Sequence, residues 1–125
     1  MNIIVPLKNQ TSQFKSQAQV FKLLAHPARL EILETLRGGE QCVCHLEYVL
    51  GYRQAYLSQQ LAVLREAGIL QDRQEGWNHF YRVARPEIFT VIDAMQSLTG
   101  NTGVRELVKK AAAHCSCPKC SDLRK

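Results

Sequence analysis

The stretch "EQCVCHLEYVLGYRQAYLSQQLAVLREAG", residues 40–68, decides the fold. It holds two short helical patterns with almost no chain between them. The first runs from about Glu40 to Leu50 and meets Gly51, a residue suited to closing a helix. "YRQ" makes a tight link. The second, roughly Gln54 to Ala67, sets Leu57, Leu61 and Leu64 on one face and stops at Gly68. The period then changes. "ILQDRQEGWNHFYRV", residues 69–83, reads as two short strands about a turn at Glu75–Gly76. Two short helices on a tight turn, followed by a hairpin, predict a helix-turn-helix with a wing.

The flanks agree with this reading. Upstream, a helical pattern starts at about Thr11, with Thr11 or Ser12 able to cap and Phe14, Ala18, Phe21 and Leu24 or Ala25 recurring at helical spacing. In "AHPARLEILETLRGG", residues 25–39, Pro27 suits the first turn of a helix. Leu30, Ile32, Leu33 and Leu36 form its apolar side, and Gly38–Gly39 end it. Downstream, a fifth helix is expected from Pro86 to about Leu98, with Ile88, Val91, Ile92 and Met95 apolar. "TGNTG" breaks the chain, and a last helix, about Val104 to His114, leads into "CSCPKCSDLRK", where Pro118 forbids continuation. The fold class is mainly α with a small β-hairpin.

The 125 residues suffice for one domain, and 46% hydrophobic with 22% charged content is ordinary for a globular protein. Sixteen basic residues against eleven acidic give a net charge of +5, which makes nucleic acid a reasonable partner. "MNIIVPLKNQ" has no apolar region of signal-peptide length and no long apolar run follows, so a cytoplasmic protein without a membrane span is expected. In a reducing compartment five cysteines do not suggest a disulfide framework. They suggest buried thiols, metal binding or redox sensing.

The second helix of the pair is the candidate for reading double-stranded DNA. Its opening is polar: Arg53, Gln54, Tyr56, Ser58, Gln59 and Gln60. Glutamine reaches adenine edges in the major groove, and serine and tyrosine serve bases or phosphates. On the wing, Arg73, Asn78, His79 and Arg82 surround a turn that can lie along the backbone or in the minor groove. Trp77 near the tip is odd for an exposed loop and is a candidate to pack back on the domain.

Cys42 and Cys44 sit two residues apart at the front of the third helix. Such side chains point about 200° apart on a regular helix. The pair is therefore either ordinary buried cysteine or a chelate that works by bending its helix. Cys115, Cys117 and Cys120 lie in a tail with almost nothing to pack. A Cys-Pro-x-Cys can also serve a thiol–disulfide oxidoreductase, but no thioredoxin-like βαβ pattern accompanies it, so no enzyme is expected.

"FKLLAHPARLEILETL", "CVCHL", "YLSQQLAVLREAGIL" and "GWNHFYRV" together resemble the ArsR/SmtB family of winged-helix repressors, over about residues 14 to 84. The resemblance implies a homodimer on operator DNA that lets go when an inducer binds. It implies an interface made by the first and fifth helices, about Phe14–Leu24 and Pro86–Leu98. The parts are then an N-terminal arm (1–11), a winged helix-turn-helix DNA-binding and dimerisation domain (12–99), and a C-terminal helix with a cysteine-rich tail (100–125). Two departures stand out. Trp77 follows the wing glycine where the family often has arginine or lysine, which shifts the expected backbone contact to Arg73. The fifth helix offers Glu87 and Asp93 but neither histidine nor cysteine, against a hard-ion site there.

The "CVC" pair resembles the third-helix motif of the family's arsenite, cadmium and lead sensors. Thiolates select soft ions. As(III) prefers three sulfurs, Pb(II) often accepts three, Cd(II) usually takes four, and Zn(II) is also possible. Two cysteines are too few, so Cys115, Cys117 and Cys120 are the further candidate ligands, from the same protomer or its partner, with His45 and His114 as second choices. The rival trigger is a redox or reactive-sulfur signal on the same cysteines. A constitutive DNA-binding protein with an idle tail is a further alternative.

Overall fold

The computed structural model describes residues 7–100, with side chains from residue 12 onward. The order is α1 (Leu7–Leu24), α2 (Pro27–Leu36), β1 (Gln41–Cys42), α3 (Val43–Leu50), α4 (Gln54–Glu66), β2 (Leu70–Glu75), β3 (Asn78–Val83) and α5 (Glu87–Thr99). The three strands form one antiparallel sheet in the order β1-β3-β2. Residues 101–125, which include the expected last helix and Cys115, Cys117 and Cys120, lie outside the described residues.

The local chemistry explains the boundaries. Pro27 opens α2, where a missing N–H costs nothing. Gly51 closes α3 in the left-handed conformation (φ 73°) while its N–H donates to the Glu47 carbonyl. Leu57, Leu61 and Leu64 of α4 are buried against Ile32, Leu33 and Leu36 of α2 and Leu46 of α3. Each such leucine contributes roughly 1.5–3 kcal/mol by leaving water. Ile88 and Ile92 of α5 close the same core.

Two polar clamps hold this core in register. Arg37, just past α2, bonds Glu34 at 2.6 Å and Asp93 of α5 at 2.7 Å, and its guanidinium lies over the Phe89 ring. The Glu34 side chain is almost wholly buried and is also bonded by Gln96 of α5 at 3.1 Å. The second clamp sits in the turn of the helix pair. The Tyr52 hydroxyl donates to the Glu31 carboxylate at 2.7 Å and ties the turn to α2.

Three findings differ from the sequence expectation. Helix α1 begins at Leu7 rather than near Thr11. The turn of the hairpin is Gly76–Trp77, because Glu75 pairs with Asn78. And the segment before α3 is a strand: Gln41 pairs with Tyr81 and Cys42 with Phe80.

The hydrogen bond to Glu31, reinforced by burial, pushes the Tyr52 hydroxyl pKa up to about 12. An unfolded tyrosine ionises near 10, so above that pH the folded state holds a proton the unfolded state has lost. The stabilisation is complete below about pH 10 and is lost as pH rises through about 12. Tyr52→Phe is expected to cost about 1 kcal/mol in urea unfolding at pH 8. Its deficit against wild type should shrink between these two pH values. A deficit that stays constant to pH 12 would show that this proton is not held by Glu31.

Candidate DNA-reading surface and thiol site

Helix α4 turns its leucines inward, which leaves Arg53, Gln54, Tyr56, Ser58 and Gln59 on the outer surface. Tyr56 is half-held there: its ring lies 5.2 Å from that of Tyr52, and its hydroxyl is 3.4 Å from His26 Nε2. Gln60 belongs to the interior instead. It is buried and accepts from Arg29 Nε at 2.8 Å, while Arg29 also donates to the Leu23 carbonyl at the end of α1. Gln60 therefore joins three helices and is not part of the reading face.

Much of the wing's charge is paired within the domain. Arg73, expected to meet the phosphate backbone, is held between Glu40 (2.7 Å) and Glu75 (2.8 Å), with its guanidinium 4.4 Å over the Phe80 ring. The bond to Glu40, then that to Glu75, drives its pKa further above the ordinary arginine value. His79 bonds Asp72 at 2.7 Å and stacks on Tyr81. That bond, helped by Arg65, holds the Asp72 carboxyl below the usual carboxylate range. Arg82 donates to Gln71. Trp77 does not pack back on the domain; it is fully exposed.

The cysteine pair is arranged differently from the helical reading. Cys42 is not inside the helix. It is the last residue of β1 and the N-cap of α3, with extended backbone (φ −78°, ψ 157°), and its Sγ accepts from the His45 N–H at 3.3 Å. Cys44 lies in the first turn. The two Cα atoms are 5.3 Å apart and the sulfurs are joined as a disulfide. The pair converges without any unwinding, so the expectation that one ion must bend the third helix falls. Cys42 is buried against Phe80, its neighbour across the sheet, and Cys44 packs partly against both. His45 is buried.

A cleft of about 240 Å³ opens beside the pair, lined by Cys44, Glu47, Gln54, Ser58 and His79, with Trp77 at its rim. It joins the cysteine pair to the polar face of α4 and to the wing. Among the described residues no group of three or more His, Cys, Asp and Glu side chains could hold a metal ion. The carboxylates of α5 are taken: Asp93 by Arg37 and Glu87 by Arg85. Reduced, two neighbouring thiolates at a helix start are chemically suited to a soft ion, since helix N-termini favour negative charge. The further ligands expected from the sequence, Cys115, Cys117 and Cys120, lie outside the described residues.

A helix pair on a tight turn, a three-stranded wing and an outward polar helix define a winged helix-turn-helix regulator. Residues 26–72 match the family model described as "Bacterial regulatory protein, arsR family". The "Biofilm growth-associated repressor" of Agrobacterium fabrum is 44% identical over 94 residues, 75% of this chain and 80% of that one. The "Arsenic resistance transcriptional regulator ArsR1" of Pseudomonas putida is 47% identical over 77 residues, 61% of this chain and 59% of that one. The structure is similar to the homodimeric winged helix-turn-helix DNA-binding domain Mb0332 from Mycobacterium bovis, with a TM-score of 0.65 and 27% identity over 80% of this chain and 91% of that one. The chain belongs to the ArsR family: it is a DNA-binding transcriptional repressor, not an enzyme. No helix among the described residues is long and apolar enough to cross a membrane.

The ion pairs of Arg73 give a testable contrast with Arg53, which is exposed at the start of α4. Arg53→Gln should reduce the slope of log affinity against log salt by about 0.9 for each phosphate that Arg53 neutralises. Arg73→Gln should leave that slope unchanged while lowering the thermal stability of the wing. Equal slope changes in anisotropy titrations would mean that Arg73 leaves its carboxylates to meet DNA.

Proposed function

We propose that this repressor is a homodimer that leaves a near-palindromic operator when a thiophilic metal or metalloid ion is held by Cys42, Cys44 and one or two of Cys115, Cys117 and Cys120. The placement of Cys42 and Cys44 side by side at the junction of β1 and α3, where reduction of the pair gives two neighbouring thiolates, carries the reading. As(III), Cd(II) and Pb(II) fit such a donor set best, and Zn(II) fits a four-sulfur version. The likeness to an arsenic-resistance regulator favours As(III). Fourteen residues lie between Gly100 and Cys115, and the tail thiolate comes from the same protomer or from its partner. A repressor of chromosomal DNA works in the cytoplasm.

When bound, the ion supplies strong bonds to thiolate sulfur that a proton does not match. The chain's own residues convert this into release. Drawing the Cys42 sulfur toward a tail ligand frees the His45 N–H that it caps and pulls on the Cys42–Phe80 pairing. The start of α3 and the wing strand then shift together, and α4 follows through the short Gly51–Arg53 link. A coupling of about 3 kcal/mol weakens DNA binding more than a hundredfold. The dimer is supported by the outward apolar side of α1, where Phe14 is 66% and Phe21 58% exposed, and by Leu98 of α5 at 88%.

A second reading rests on one observation, the Cys42–Cys44 disulfide. An oxidant such as a peroxide or polysulfide would take two electrons from the thiol pair and close this bond, so that oxidation replaces the ion as the trigger.

The test is an anisotropy titration on the protein's own upstream DNA under anaerobic reducing conditions. Cys42→Ser and Cys44→Ser should each bind DNA nearly as wild type and lose release by As(III), since a hydroxyl is a poor ligand for a soft ion. Single tail substitutions should cost less than either, and truncation after Ala113 more than any single tail change. A truncated protein that still responds to the ion would remove the tail from the site. Release by polysulfide alone, abolished by either serine variant, would favour the redox trigger.

A further inference from the structure

We propose that the wing engages the operator through Trp77, whose indole packs against the sugars and base edges of the minor groove, rather than through a cation on phosphate. The inference rests on the DNA-binding reading above and adds the contact by which the wing takes part.

The charges of the wing weaken the usual electrostatic grip, although Arg82, exposed and bonded to the neutral Gln71, keeps its charge. Between Leu70 and Val83 the two arginines are matched by Asp72 and Glu75. Arg73 is committed to Glu40 and Glu75, and Arg82 to Gln71. The hairpin tip thus presents a glutamate, a glycine, a tryptophan and an asparagine. A tip of that composition releases few counterions and gains little from phosphate.

Trp77 is placed for apolar contact instead. The indole is entirely out of the core, so its large apolar surface contributes nothing to folding. Its place in the backbone is fixed: the turn has only two residues, Gly76 takes the positive φ (60°), and the flanking pair Glu75–Asn78 sets the register. It stands near the reading helix, because the cleft it lines is also lined by Gln54 and Ser58 of α4. With α4 in the major groove, a wing on the same side meets the neighbouring minor groove. Aromatic and aliphatic side chains there pack on sugars or wedge between base steps. Asn78, beside it, offers an amide to the minor-groove acceptors N3 of adenine and O2 of thymine.

Trp77 is the single tryptophan of the chain, so it reports on itself. In the full-length reduced protein its emission should be that of a water-exposed indole, freely quenched by acrylamide. Saturation with a duplex of its own upstream DNA should cut that quenching several-fold. Trp77→Ala should bind about tenfold more weakly, as expected when one aromatic side chain no longer packs on the nucleic acid, with an unchanged salt slope, and Trp77→Phe should recover most of the affinity. Unaltered quenching in the complex, wild-type affinity in Trp77→Ala, or an indole already shielded in the free protein would each overturn the proposal. A wild-type protein that binds no duplex at all would instead overturn the operator reading beneath it.

Discussion

The pairing of Cys42 with Phe80 across two strands is the contact on which the rest of this structure turns. Strand β1 is only two residues long, yet it fixes the edge of the wing, the start of α3 and the position of one thiol. Cys42 serves all three at once. Its backbone pairs with β3, its sulfur caps the His45 N–H, and its side chain is buried against the Phe80 ring that also supports Arg73. A change at this sulfur therefore cannot stay local. A sensor built on a helix interior would have to break helical hydrogen bonds to move anything. One built on a strand–helix junction needs only to shift a cap and two strand pairs.

The remainder of the domain gives that junction something firm to move against. The leucine core of α2, α3 and α4 is closed by α5, and Arg37 binds α5 to α2 through Glu34 and Asp93. Removing Arg37 would take the cation from a buried carboxylate that Gln96 would still hydrogen-bond but not neutralise, a costly change. By contrast α1 shares little of this core, and its exposed phenylalanines suit a second copy of the chain. The molecule thus divides into a packed body, an outward apolar side of α1 that the proposed dimer would cover, and a polar edge of α4 and the wing beside β1. The cleft between the thiols, the polar side of α4 and Trp77 lies along that edge.

Much of this was legible in the sequence. Pro27, Gly51 and the leucine spacing of residues 57–64 mark helix ends and faces by local chemistry alone, and the change of period after Gly68 marks the hairpin. The partners of distant residues were not legible. Two residues carry no periodicity, so β1 was hidden inside an apparent helix, and Phe80 lies far along the chain from Cys42. For the same reason Arg73 read as free although Glu40 holds it. Trp77 was misjudged because an aromatic residue ordinarily seeks cover, whereas the two-residue turn projects it into solvent. Gln60 read as part of a polar face until Arg29, from another helix, claimed it.

The coupling of the thiols to the reading edge is most directly tested by amide hydrogen exchange, measured by NMR on the reduced protein with and without one equivalent of As(III). Binding should lower the protection of the His45 amide and of the amides that join β1 to β3, while the core of α2 and α4 keeps its protection. An ion that binds the cysteines and releases DNA with those amides unchanged would contradict the account.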